Sequence, residues 1–165
     1  MNRRQFLVGA AAVSLLPIVS RGVPGVDQNS NGAVAKIHKS EEEWRALLTE
    51  EEFNVLRKEA TEPAGSSSLN AEKRAGTYVC AGCALPLFKS EWKFESGTGW
   101  PSFYTAIRGH VGTKQDFLLF IPRTEYHCAR CGGHQGHIFD DGPPPTGQRW
   151  CNNGVALDFI PAKPS

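Results

Sequence analysis

The chain has 165 residues, 40% of them hydrophobic and 21% charged, which suits one compact domain plus an extension. A net charge of +1 gives no electrostatic ground for binding nucleic acid or an acidic membrane surface. Seventeen glycines and eleven prolines favour turns and short connections over long helices.

The N-terminus is the extension. Arg3 and Arg4 precede Phe6–Val19, a run of 14 residues without a charge. A membrane-spanning helix needs about 20 apolar residues, so the run fits the apolar region of an export signal better. Arg-Arg followed by Gln5-Phe6-Leu7 resembles a twin-arginine signal, and Ala33-Val34-Ala35 offers a cleavage site before Lys36. The expected division is a signal over residues 1–35 and a catalytic domain over 36–165, with a periplasmic or otherwise extracytoplasmic location, membrane-tethered if the signal stays uncleaved. Without residues 1–35 the chain carries 15 basic and 16 acidic residues and no methionine.

Ser40-Glu41-Glu42-Glu43 has the S-x-x-E spacing of a capping box. Trp44, Leu47 and Leu48 follow on one helical face. Thr49-Glu50-Glu51-Glu52 repeats the signal, with Phe53, Leu56 and Val55 as the apolar side of a second short helix ending near Lys58. Residues 63–70 form a polar loop. Beyond Gly76 the pattern changes to short apolar runs broken by Gly and Pro: residues 77–80, 85–88, 92–94, 117–121, 125–128, 137–139 and 155–160 read as strands. The expected fold is therefore mainly β: a small antiparallel domain behind two short helices.

Cys80-Ala81-Gly82-Cys83 and Cys128-Ala129-Arg130-Cys131 are two C-x-x-C turns separated by 44 residues. Two such turns can close a tetrahedral zinc site with sulfurs about 2.3 Å from the metal, leaving no open position for catalysis. The alternative is a pair of disulfides, each closing a loop too small to contribute much chain entropy. A zinc ribbon that binds nucleic acid or protein carries the same four cysteines, but such a module calls for a basic face that the charge balance does not supply.

Cys151 is the fifth cysteine and has no partner. Residues 132–159 place His134 and His137 close behind Cys131, and Cys151 lies 14 residues beyond His137, after the turn Asp141-Gly142-Pro143-Pro144-Pro145. With His137 in a strand and Cys151 in its antiparallel neighbour, imidazole and thiol meet. Arg149 and the histidine are expected to lower the thiol pKa and favour the nucleophilic thiolate, and Asn153 shares the strand face of Cys151. Taken singly, Cys151 also suits a buried small hydrophobe, and His134 and His137 suit additional metal ligands. In residues 94–103 (FESGTGWPSF), Gly97 and Gly99 bracket Thr98, and Trp100-Pro101 follow. That loop fixes an indole face suited to a small apolar group such as an S-methyl, or a core tryptophan.

Together GTGWPSF, the two C-x-x-C units, HQGHIFDDGPPPTGQRWCNN and the opening SEEEWRALLTEEEFNVLR resemble the methionine-R-sulfoxide reductase (MsrB) family from about Ser40 to Phe159. The resemblance implies a two-sheet antiparallel β domain with short N-terminal helices and a structural zinc held by four cysteines, here Cys80, Cys83, Cys128 and Cys131. It implies that Cys151 attacks the sulfoxide sulfur and becomes a sulfenic acid, with His137, aided by His134, supplying the proton to the leaving oxygen. Arg149 and Asn153 would orient and polarise the site, and Trp100, with Phe103 and Thr98 beside it, would receive the substrate's methyl end. The implied partners are methionine-R-sulfoxide, free or in exported proteins, and a thioredoxin-like or small-thiol reductant, with no nucleic acid and a monomeric protein.

Four departures stand out. Many family members carry a resolving cysteine where this chain has Thr98, so direct reduction of the sulfenic acid by an external thiol is expected. Trp150 replaces a commoner Tyr or Phe, Gly154 replaces a usual Ser, and residues 63–70 depart from the more common PFTG-type segment. A metal-free oxidoreductase cycling C-x-x-C disulfides is the competing enzyme class.

Overall fold

The computed structural model describes residues 34–117 and 122–163; the expected signal sequence, up to residue 33, lies outside the described residues. Two helices, α1 (Glu41–Leu47) and α2 (Glu50–Lys58), precede nine strands. Both helices open with reciprocal capping boxes: Ser40 Oγ accepts from Glu43 N at 3.2 Å, and Thr49 Oγ1 accepts from Glu52 N at 3.2 Å. Each such cap contributes about 1 kcal/mol, enough to start helices this short. Trp44, Phe53, Val55 and Leu56 are buried, while Leu47, expected on the same face, is exposed. Among the described residues no helix is long and apolar enough to cross a membrane.

The strands are β1 (Gly76–Cys80), β2 (Pro86–Lys89), β3 (Lys93–Phe94), β4 (Ser102–Phe103), β5 (Val111–Asp116), β6 (Arg123–Cys128), β7 (His134–Phe139), β8 (Arg149–Asn152) and β9 (Leu157–Pro161). They form two antiparallel sheets, ordered β2-β1-β9 and β3-β4-β8-β7-β6-β5. The small sheet lies on the large one through aromatic rings. Phe88 stacks on Phe103 with centroids 4.1 Å apart, and Tyr78 meets Phe103 edge-on at 4.9 Å. Trp150 and Tyr126 continue this layer at 5.0 Å.

Strand β5 is not among the expected strands. Of the apolar run expected as a strand over 117–121, only Phe117 is described, and it stands exposed just beyond β5; 118–121 lie outside the described residues. The strand before it, β5, has the sequence Val-Gly-Thr-Lys-Gln-Asp, which contains no apolar run. It occupies a sheet edge and turns most of its side chains to solvent, so the alternation that marks a half-buried strand is missing.

Candidate active site and four-thiol cluster

Cross-strand register assembles the site. Ser102 on β4 opposes Cys151 on β8, Cys151 opposes His137 on β7, and His137 opposes Glu125 on β6. Directly opposed residues share a face, with Cβ atoms about 4.5–5.5 Å apart, so these four form one transverse row. The neighbouring row, Phe103, Trp150 and Ile138, points into the aromatic core. This parity removes Phe103 from the expected substrate contacts. It also makes Trp150 a core residue, not a modifier of the substrate site. Gly136 lets β7 and β8 approach closely: a Cβ there would sit 1.9 Å from the Cys151 carbonyl oxygen.

His134 and His137 are three residues apart and would ordinarily face opposite sides of a strand. A bulge between Tyr126 and His127 shifts the register, so His134 opposes His127. The rings of His134 and His137 then lie 5.5 Å apart. Glu125, buried at 2% exposure, binds His134 Nδ1 through Oε1 at 2.7 Å and His127 Nδ1 through Oε2 at 3.0 Å. Burial works to raise the Glu125 carboxyl, but the hydrogen bonds from His127 and His134 outweigh it and hold its pKa at about 2. His134 Nε2 is buried and has no hydrogen-bond partner among the described residues. His137 Nε2 bonds Asp116 Oδ2 at 2.7 Å, and Arg123 holds the same oxygen at 2.6 Å. Burial pulls the His137 pKa below the usual imidazole value and outweighs the Asp116 hydrogen bond, which acts the other way. Glu125, Asp116 and Arg123 carry no motif spacing, and only the strand pairing makes them part of the site.

The thiol departs from expectation. Burial, the largest influence, pushes Cys151 above the ordinary thiol range, although Arg149 and a hydrogen bond with Thr98 pull it down. Arg149 is less effective than its sequence position suggests because Asp141 engages it with two bonds, Nε to Oδ1 at 2.8 Å and an Nη to Oδ2 at 2.9 Å. Its guanidinium also lies over the Phe139 ring at 4.2 Å. Burial thus favours the uncharged form of both Cys151 and His137. Asp141→Asn removes a charge that opposes ionisation and releases Arg149 toward the sulfur. Iodoacetamide alkylation of Cys151 at pH 8 is expected to speed up by about 3- to 10-fold, the increase in thiolate for half to one unit of pKa. Measured against pH, the wild-type rate should rise only in the alkaline range, and the variant's curve should lie at lower pH.

A cavity of about 130 Å³ opens beside Cys151, lined by Thr61, Trp100, His137, Phe139, Cys151 and Asn153 among others. Trp100 is a cavity wall rather than core, and its Nε1 donates to the Glu62 carbonyl at 3.2 Å. Thr98 does not line this cavity; its hydroxyl lies 2.9 Å from Ser96 Oγ. Asn153 lies past the end of β8, so it does not share a strand face with Cys151. Its Oδ1 accepts from Glu62 N at 3.0 Å and its Nδ2 donates to Gln135 O at 3.0 Å. Both ends of the amide hold backbone, which fixes Asn153 at the cavity wall. Glu62, which no sequence motif marks, completes the frame by accepting from Gly154 N at 2.6 Å and Val155 N at 2.9 Å. This residue joins the tryptophan wall to the backbone just beyond the thiol.

The four remaining cysteines converge. The sulfurs of Cys80, Cys83, Cys128 and Cys131 all lie within 4.8 Å of one another, and all five cysteines are free thiols. The Cys80–Cys131 and Cys83–Cys128 separations are 3.6 and 3.5 Å. A tetrahedron with metal–sulfur bonds of about 2.3 Å has edges of about 3.8 Å, so the cluster has the dimensions to hold a metal ion. Gln135 Nε2 donates to Cys80 Sγ at 3.5 Å and Gly133 N to Cys131 Sγ at 3.4 Å. Leu56 of α2 covers the cluster from outside, close to both Gly82 and Gly133.

Comparison with known proteins agrees with this geometry. The SelR domain matches residues 48–161. The peptide methionine sulfoxide reductase MsrB of Methanosarcina mazei is 52% identical over 125 residues, covering 75% of this chain and 89% of that protein. The chain belongs to the MsrB family. The MsrB of Pseudomonas putida strain W619 is likewise 52% identical, over 127 residues covering 76% of this chain and 96% of the relative. That of Leptospira interrogans is 47% identical over 125 residues, covering 75% and 95%.

Gly154 and residues 63–70, both expected departures from the family pattern, meet in the structure. A Cβ at Gly154 would lie 2.0 Å from Ser67 Oγ and 2.3 Å from Ser67 Cβ. The unusual 63–70 segment thus places a serine side chain where residue 154 would otherwise carry one. Ser67 Oγ accepts from Leu69 N at 3.2 Å, which starts a short 3-10 turn (Ser68–Asn70). Gly65 N donates to Gly99 O at 2.8 Å, securing the same segment to the Trp100 loop.

Proposed function

We propose that the protein reduces methionine-R-sulfoxide, free or within polypeptides, to methionine through a sulfenic acid on Cys151. The observation that supports this most directly is the opposition of Cys151 and His137 beside a tryptophan-walled cavity, in a chain of the MsrB family. The cavity suits a methyl sulfoxide end, with the apolar methyl against the Trp100 indole. Because the resting thiol is protonated and His137 neutral, the proton that the sulfoxide oxygen needs is already carried on sulfur. His137 takes that proton as Cys151 sulfur attacks the sulfoxide sulfur and delivers it to the sulfoxide oxygen. The protonated oxygen then passes from the methionine sulfur to Cys151 sulfur as the transient S–S bond breaks, releasing methionine. The overall step converts thiol and sulfoxide into sulfenic acid and thioether, so Cys151 is oxidised by two electrons and methionine sulfur reduced by two. Asp116 and Arg123 hold His137 in position, and Glu125 fixes His134 next to it.

The four clustered thiols are suited to structural zinc, which would join the β1–β2 and β6–β7 turns; zinc takes no part in the reaction. With every other cysteine in that cluster, Cys151 has no resolving partner, and a small thiol or thioredoxin-like protein would reduce its sulfenic acid directly. A monomer exported by the twin-arginine route, folded and metal-loaded before crossing the membrane, would repair oxidised extracytoplasmic proteins. The test is turnover of the separated sulfoxide epimers with dithiothreitol as reductant. Consumption of the R epimer alone is expected, and consumption of the S epimer alone would overturn the assignment.

A further inference from the structure

A second and larger cavity adjoins the one beside Cys151. It measures about 700 Å³ and lies between α2, residues 60–69 and the chain from Gly154 to Phe159. Thr61 lines both cavities, and the consecutive residues Asn153 and Gly154 line one each. The charged groups of the larger lining are all of one sign: Glu51, Glu62 and Asp158, with no lysine or arginine. Glu62 is engaged by Gly154 N and Val155 N. Glu51 and Asp158 are exposed, and their carboxylates have no hydrogen-bond or ion-pair partner among the described residues. Arg74, whose guanidinium lies over the Phe159 ring, is held by Glu72. The same wall is an unpaired strand edge: β9 has β1 on one side and, among the described residues, no strand on the other. Ala81 N donates to Ala156 O at 3.0 Å and Ala162 N to Ala75 O at 2.8 Å, so these two are hydrogen-bonded pairs. In an antiparallel ladder such pairs alternate with pairs whose backbone groups face outward. Phe159 lies three residues from both Ala156 and Ala162, which makes its pair with Tyr78 one of the second kind. Its N–H and C=O therefore point to the open edge.

We propose that this groove binds an extended polypeptide segment flanking the oxidised methionine, through strand pairing with Phe159 and a lysine or arginine side chain set against Glu51 and Asp158. The inference rests on the reductase reading for its occupant, since the segment reaches the groove from a sulfoxide held at Cys151. Asp158 follows Cys151 by seven residues, so no more than about eight residues of extended peptide separate the sulfoxide from the basic side chain. Main-chain bonds to an open strand edge supply affinity whatever the sequence, and side-chain contacts beside the edge supply selectivity. The two carboxylates thus make the groove select polypeptides with a cation near the oxidised residue. Free methionine sulfoxide, which has no such segment, gains nothing from it.

The test uses the full, metal-loaded chain and synthetic peptides that contain one methionine-R-sulfoxide. A single lysine is placed one to about eight residues from it on either side, with glutamine as the neutral reference. Lysine at one or two positions should raise kcat/KM by about 3- to 10-fold, the range for two partly exposed ion pairs. Glu51→Gln/Asp158→Asn should abolish that preference. Turnover of free N-acetylmethionine-R-sulfoxide should stay within about twofold, since neither residue lines the cavity at Cys151. Glu51→Lys/Asp158→Lys should turn the preference toward glutamate. The same contrast is read as binding, by fluorescence anisotropy of labelled peptides on Cys151→Ser protein. N-methylation scanned along the peptide backbone should weaken that binding about 3- to 10-fold at the residue paired with Phe159. Equal values for lysine and glutamine peptides, an equal gain at every lysine position, or a preference that survives Glu51→Gln/Asp158→Asn overturns the proposal, as does binding indifferent to N-methylation. If free N-acetylmethionine-R-sulfoxide is not reduced, the reductase reading falls, and the anisotropy contrast still decides whether the groove binds as stated.

Discussion

Cys151→Ser is expected to abolish sulfoxide reduction, with a loss on the order of 10⁴-fold or more, as is typical when a covalent nucleophile is removed. Serine keeps the size of the side chain but cannot reach the sulfenic oxidation state, and its hydroxyl is far less acidic than a thiol. The variant should fold normally, since Cys151 is only partly buried and belongs to neither the aromatic core nor the thiol cluster. Equal thermal stability and equal metal content alongside lost turnover would locate the defect in chemistry. A companion measurement follows the wild type through one turnover without reductant. Its mass should increase by one oxygen, located on Cys151, and dimedone should trap that product. A stoichiometric internal disulfide with the metal retained would show instead that one of the cluster thiols resolves the intermediate. Measurable turnover by Cys151→Ser would displace the nucleophile altogether.

Loss of the metal that the four thiols are suited to hold should have the second-largest effect, on stability rather than chemistry. The cluster joins Cys80 and Cys83, at the end of β1 and in the turn to β2, to Cys128 and Cys131, at the end of β6 and in the turn to β7. It therefore links the small sheet to the large one, across a core that a domain of this size fills only modestly. Structural zinc contributes about 10–16 kcal/mol in isolated zinc-finger peptides, whereas whole domains are stable by about 5–15 kcal/mol. A loss of even about 5 kcal/mol would lower the melting temperature by roughly 10–20 °C in a chain of this size. Cys131→Ser is expected to show that fall, together with loss of about one zinc per chain by elemental analysis. A Cys131→Ser protein that melts within a few degrees of wild type would mean that the cluster is not a metal staple.

What the sequence disclosed, and what it concealed, follows from how far each signal reaches along the chain. Capping boxes at Ser40 and Thr49 are complete within four residues, and both helices start where those boxes predict. The C-x-x-C turns are equally local, and the fold brings their four sulfurs together, as the expected metal site requires. The His137–Cys151 pairing needs only one turn between neighbouring strands, and the register sets the two residues directly opposite each other. By contrast, Glu125, Asp116 and Glu62 act across distances the sequence does not mark. Glu62 meets Gly154 and Val155 more than ninety residues later, and the Asp116–His137 contact depends on an edge strand with no apolar pattern. The lowered thiol pKa failed for a related reason. The positive charge two residues from Cys151 was legible, but its neutralisation by Asp141 and the burial of the sulfur depend on the folded turn.

Gln135 stands between the two chemical centres. Its amide donates to Cys80 Sγ and accepts from Asn152 Nδ2 at 3.4 Å, while its carbonyl accepts from Asn153 N at 2.8 Å. The side chain is wholly buried, so none of these bonds can be exchanged for water while the fold is closed. The end of the nucleophile's strand and the thiol cluster therefore belong to one cooperative opening unit. Transient fraying of the end of β8, which would loosen the strand that carries Cys151, disturbs the contact at Cys80 as well. A metal held by the four thiols would thereby steady the strand that carries the nucleophile without touching its sulfur.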